Sequence, residues 1–339
     1  MHMADALLSP VVSGTMTIAA STAVYFSYKK VSKTLDEVHL PLMGVMGAFV
    51  FAAQMINFTI PGTGSSGHLG GGMLLAALLG PYAGFLSMMS VLLIQAIFFG
   101  DGGLMALGAN IINLGFFTCF VVYPLIYKPM MRRGKPIIYR AIITVFSAMT
   151  AMSLGAFAVV IETVLSGRTE LPFFEFMILM IPIHLAIGVV EGLVTFFVLE
   201  FVYQQRPGML QNEEMIKEGI PKKQLRKGAI IGLIISVLLI GSVISLYASE
   251  LPDGLEWSIE NIVGSTDLES QSGLHQWFSS FQEKITLLPD YNFKENSQLN
   301  SSLNGTSFSG IVGGILTLSL LLLFGFILRK AKGKSGHEY

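Results

Sequence analysis

The sequence predicts an all-α fold, a polytopic membrane helix bundle of about nine spans with its N-terminus outside and its C-terminus inside. Three observations carry that expectation. Of 339 residues, 52% are hydrophobic and only 13% charged, against about a quarter charged in an ordinary soluble domain. The charges lie between long uncharged runs, most of them near the roughly 20 residues that a bilayer crossing requires. When those runs are threaded alternately through a membrane, the basic residues collect on one side.

In chain order the apolar runs cover 10–28, 41–60, 71–80, 81–99, 104–127, 137–166, 173–203, 228–248 and 309–328. The stretch 71–99 reads as one long span or as two short ones broken at Gly80-Pro81. Loop charge decides for two. With that count, Lys29, Lys30, Lys33, the KPMMRRGK loop, the segment 206–227 and the tail RKAKGK are all cytoplasmic. Of the 21 basic residues, only Arg168, Lys284 and Lys294 then fall outside. The run 71–80 is short for a crossing. It follows the glycine-rich PGTGSSGHLGGG at 61–72, read as an outer loop folded back into the bundle, because irregular backbone at membrane depth needs protein or a polar cavity around it.

The stretch QQRPGMLQNEEMIKEGIPKKQLRK divides the chain into a seven-span unit, 1–204, a cytoplasmic linker, 205–227, and a two-span unit, 228–339. The two-span unit carries a polar outer loop, 249–308, with nine acidic residues and two lysines. The balance of charge presents no basic face for nucleic acid. Cys119 lies inside an apolar run and reads as a small buried hydrophobe. The first lysines follow the first apolar run instead of preceding it, so no leader is expected and Met1 is read as the mature terminus.

The opening MHMADALLSP places a histidine beside the α-amine. The Met1 amine and the His2 amide nitrogen would close a five-membered chelate ring, and the amide with Nδ1 of His2 a six-membered one. Three nitrogens in a plane, one of them a deprotonated amide, suit Ni(II) or Cu(II), which accept square-planar ligation. His68 in the outer glycine-rich loop is on the same side and could fill the fourth corner. The plainer reading is a frayed start and a loop histidine that caps a turn.

These pieces, MHMADALL at 1–8, GTGSSGHLGGG at 62–72 and IPIHLAIGVVEGLVT at 181–195, resemble the NikM/CbiM family. Its members are nickel and cobalt S-components of energy-coupling-factor (ECF) transporters. LPDGLEW at 251–257 is similar to the NikN/CbiN partner, so the chain resembles a NikMN-type fusion. The opening departs from the MHIMEGFLP typical of CbiM, which favours Ni(II), with Co(II) the alternative. The resemblance implies Met1, His2 and His68 as metal donors, uptake from outside through the cell membrane of a prokaryote, and separate partner chains. Those partners are a transmembrane coupling (T) subunit and two ATP-binding-cassette ATPases.

His184 and Glu191 lie seven apart on one helix face. With Asn57 and Gln95 they are candidates to orient His68 or line the metal's path, or simply helix-to-helix hydrogen bonds. Gln54, Asn110, Asn113, Glu162 and Glu200 carry the same two readings. Gly44, Ala48 and Ala52 form a small-residue row that the resemblance assigns to a coupling partner and that internal packing explains equally. His39, His275 and His337 are expected to be solvated. GKS at 333–335 lacks the first glycine of a phosphate loop, since Leu328 stands there, so ATP hydrolysis is not expected in this chain. The alternative function is a self-sufficient divalent-metal channel or secondary transporter, but the strongest donors cluster on one side. No HExxH or defensible nucleophile–base spacing suggests an enzyme.

Overall fold

A computed structural model describes residues 1–34, 39–131, 135–205, 227–242, 244–265, 273–294 and 305–335. The chain is mostly helical. The helices are α1 (Pro10–Thr34), α2 (His39–Gln54), α3 (Gly72–Leu79), α4 (Pro81–Phe99), α5 (Leu107–Met130), α6 (Ile137–Ser166), α7 (Phe173–Gln205), α8 (Lys227–Ser242), α9 (Gly254–Val263), α10 (Gly273–Ile285) and α11 (Gly305–Ser335). Among the described residues five helices are long and apolar enough to cross a membrane: α4, α5, α6, α7 and α11. The expected linker lies, apart from its ends, outside the described residues, as does His337.

Two local features differ from the expected row of spanning helices. The loop after α2 forms a small antiparallel hairpin of β1 (Phe58–Ile60) and β2 (Ser65–Gly67), with Phe58 opposite Gly67 and Ile60 opposite Ser65. The last residues of the expected span 41–60 are therefore extended, because the turn 61–64 needs nearby chain to pair with. The second feature is α3. Its eight residues are all buried, and at 1.5 Å per residue they span about 12 Å, well short of a hydrocarbon core of about 30 Å. α3 begins from Gly71 in the left-handed region (φ 74°), and a Cβ there would lie 2.4 Å from a methyl of Val50. Glycine meets both demands.

α6 and α7 form a long hairpin, and α5 packs against α6 and α4. α11 lies along α2 and α8. The Gly44, Ala48 and Ala52 row serves that packing: a Cβ on Gly44 would sit 2.8 Å from Leu318, and Gly314 lies against Ala48. Arg140 and Glu200 join α6 to α7 by two hydrogen bonds of 2.7 and 2.8 Å. Asn113 donates to Glu162 at 2.9 Å. These polar residues pin helices together, as the packing reading expects.

Candidate metal centre

The N-terminus is not a frayed tail. Met1, Met3, Leu7 and Leu8 are buried in the main core. The amide of Met3 donates to Oδ1 of Asn110 at 2.8 Å, and its carbonyl accepts from the amide of Gly103 at 2.9 Å and from Nδ2 of Asn110. Oδ1 of Asp5 takes the amide of Ala106. His275, expected in solvent, is instead buried, with Nε2 2.8 Å from the carbonyl oxygen of Leu8. Its sequence surroundings are polar, and only the return of α10 onto the N-terminal segment buries it.

This threading brings the Met1 nitrogen to 3.4 Å from Nε2 of His68. Nδ1 of His68 lies 3.2 Å from the carbonyl oxygen of Leu69. A carbonyl only accepts, so Nδ1 carries the proton and Nε2 presents a lone pair toward Met1. Burial, then the positive terminal amine, pushes His68 down to about 3, which keeps it neutral. The His2 ring stacks on that of His68, with centroids 5.0 Å apart and planes 6° from parallel. Adjacent donors at metal–nitrogen bonds of about 2 Å stand about 2.9 Å apart in a square plane, so the amine and Nε2 are close to ligating separation.

The donors are also occupied. The terminal ammonium donates to Oδ2 of Asp253 at 2.5 Å, and Nδ1 of His2 lies 2.9 Å from Oδ1 of Asp101. Burial alone would raise the Asp253 carboxyl, but the terminal ammonium beside it outweighs that and holds it below the usual carboxylate range. Asp101 is held low in the same way: burial opposes ionisation, and the His2 imidazole beside it prevails. To complete the planar chelate, His2 must turn from Asp101 toward the amine. Among the described residues no three His, Cys, Asp or Glu side chains converge as a metal cage. Any cage here needs main-chain nitrogens.

The surrounding residues divide into three groups. Oε2 of Glu191 accepts from the amide of Gly70 at 2.9 Å, two residues beyond His68. Gln95 donates to Gln54, which donates to the carbonyl of Gly70, so both chains of contacts end on the His68 loop. His184 bonds the carbonyl of Met180 through Nδ1, leaving Nε2 buried without a partner among the described residues. A Cβ on Gly254 would lie 3.2 Å from its ring. Asn57 is half-buried, and its carbonyl takes the amide of Ser249. Its place is therefore at the C-terminal loop.

That loop reaches the site by strand-like pairing. The amide of Ser66 donates to the carbonyl of Pro252, and its hydroxyl to that of Leu251. Asp253 then caps α9: Oδ1 accepts from the amides of Leu255 and Glu256, while Glu256 returns a bond to the Asp253 amide. Gly254 follows because a Cβ would strike Ile183 at 2.5 Å. Asp101 and Asp253 are the two site residues that sequence reasoning missed. The signal for Asp253 was present in DGLE, an Asp followed three residues later by Glu, which is a capping box. Asp101 carried none.

Residues 2–209 match the family described as the cobalt uptake substrate-specific transmembrane region, CbiM. The chain belongs to the CbiM family. Residues 227–330 match the PDGLE domain, so the CbiM region is followed by a CbiN-like one, in the NikMN-type arrangement. A protein of Archaeoglobus fulgidus, provisionally named a fused nickel transport protein NikMN, is 30% identical over 94% of this chain and 96% of its own. The fused nickel transport protein NikMN of Rhodobacter capsulatus is 44% identical over 34% of this chain and 33% of its own. A crystal structure of a truncated transition metal transporter is 33% identical, with a TM-score of 0.52, and covers 60% of this chain and 99% of that one. The CbiM family is one of transport proteins, and the chain carries the multi-pass helices that such a role needs.

Proposed function

We propose that this chain captures Ni(II), with Co(II) the alternative, from outside the cell membrane as the substrate-binding subunit of an ECF transporter. The observation that carries the reading is the buried Met1 amine, 3.4 Å from the lone pair of His68 Nε2. The metal would take the amine, the His2 amide nitrogen, Nδ1 of His2 and Nε2 of His68. The ammonium and the amide each release a proton to solvent, and the proton that Nδ1 of His2 shares with Asp101 passes to Nε2 or to solvent, as the three lone pairs turn to the metal. Planar nitrogen ligation favours nickel, and the fused relatives are named for it. Glu191 and Gln95 brace the His68 loop, His184 packs against Gly254, and Asn57 anchors the C-terminal loop.

In this reading residues 1–204 form the S-component, 205–227 a cytoplasmic linker and 228–339 the NikN-like unit, threaded from an outer N-terminus. A coupling subunit and two ATPases in separate chains would drive release to the cytoplasm of a prokaryote. The test is nickel titration of the purified protein against a version with two residues added before Met1. The extension keeps His2 and His68 but turns the amine into an amide, and binding is expected to collapse. Unchanged binding would place the site elsewhere.

A further inference from the structure

The two N-terminal donors are each engaged by a carboxylate, and residues beyond 250 hold both carboxylates in place. Asp253 is fixed by its own capping bonds through Oδ1, which leaves Oδ2 aimed at the terminal ammonium. Asp101 accepts from His2 through Oδ1 and from the Tyr291 hydroxyl through Oδ2. The loop that carries Asp101 is gripped from the same side. Gln282 of α10 donates to the carbonyls of Ala96 and Gly102, and the amides of Leu287 and Leu288 donate to that of Phe98.

Tyr291 is placed by an unusual backbone. Asp290 and Tyr291 lie at φ 47° and 61°, a region that non-glycine residues seldom occupy and that recurs where function demands it. The turn sends the Tyr291 ring against Phe99, with centroids 5.0 Å apart, and near Phe51. Its carbonyl takes the hydroxyl of Ser309 in α11. The hydroxyl therefore reaches Asp101 from a framed ring, not from a mobile side chain.

We propose that the C-terminal region is a built-in competitor for the metal site. Asp253 takes the amine and Tyr291, through Asp101, keeps Nδ1 of His2 turned away, so the metal must displace both contacts before the plane can close. The proposal rests on the donor set given under Proposed function. When only a fraction of molecules has its donors free, the apparent dissociation constant rises by the inverse of that fraction. Weakening either contact must then tighten binding, whereas damage to a merely structural contact would loosen it.

Two variants separate the contacts from the packing. Asp253→Asn keeps a good N-cap oxygen and loses the carboxylate that faces the ammonium. Tyr291→Phe keeps the ring stack and loses only the hydroxyl. The experiment is Ni(II) titration of the full chain, followed by the visible band of planar Ni(II), for the wild type, both variants and the N-terminally extended protein. Each variant is expected to bind nickel about tenfold more tightly, with the band unchanged in position. Equal or weaker affinity in a variant that melts like the wild type overturns the proposal, and if one variant does not fold the other decides. A wild type without the planar band, or an extended protein that retains it, removes the donor set itself and the competition with it. That result differs visibly from variants that share the band but not the gain in affinity.

Discussion

Glu191 acts on His68 through the backbone, because its carboxylate holds the amide of Gly70 two residues further on. Outer partners of a metal ligand are commonly worth about 10- to 100-fold in affinity. Glu191→Ala is expected to weaken nickel binding by that amount, whereas Glu191→Gln keeps an acceptor oxygen and should stay near the wild type. Equal losses in both would assign the effect to charge instead of geometry. His68→Ala, which removes the lone pair itself, is expected to cost more than about 100-fold in the same titration. At this scale the proposed donors were legible because a chelate ring is a matter of covalent spacing: Met1 and His2 are adjacent, and their ring sizes follow from bonds alone. His68 needed only the argument that it shares a membrane side. Asp101 and Asp253 were not legible as partners, since a lone carboxylate acquires its meaning from what faces it. His275 failed for the same reason, as the packing of α10 against the N-terminal segment has no local signature.

Among the elements, the hairpin of β1 and β2 together with α3 shows how little regular structure is needed to place His68 beside the Met1 amine. The glycines around His68 let the loop descend to Glu191 and Val50, and Gly71 is the position where this matters most. A non-glycine residue in the left-handed region costs about 1–2 kcal/mol, and the methyl of Gly71→Ala would also press on Val50 at 2.4 Å. The variant is expected to lower the melting temperature in detergent and to weaken nickel binding, since the strain falls three residues from His68. A stable variant with native affinity would show that the loop adapts. The apolar periodicity located the long helices well, because about 20 apolar residues have few other solutions in lipid. It did not foresee the hairpin: 58–60 is apolar enough to extend a span, and only its pairing with 65–67 draws it away. The small-residue row on α2 was visible in sequence, but the choice of α11 as its neighbour was not.

For the whole molecule, the C-terminal region is joined to the rest by contacts as well as by the chain. α11 lies along α2, and residues 249–254 pair with β2 and cap α9 against α7. A protease site placed within 206–226 should therefore leave two fragments that co-purify in mild detergent and still bind nickel, with separation on size exclusion as the contrary result. The sequence by itself determined that this is a membrane protein of helices and that its first two residues carry the nitrogens of a planar chelate. Composition and covalent geometry act locally, so no fold is needed to read them. Only the tertiary structure decided that the N-terminus is buried, that His68 turns its free nitrogen to the amine, and that Asp253 and Asp101 engage the amine and His2. Those facts depend on residues up to 252 positions apart meeting in one place, and distance in space along a folded chain is set by packing, which no short stretch of sequence contains.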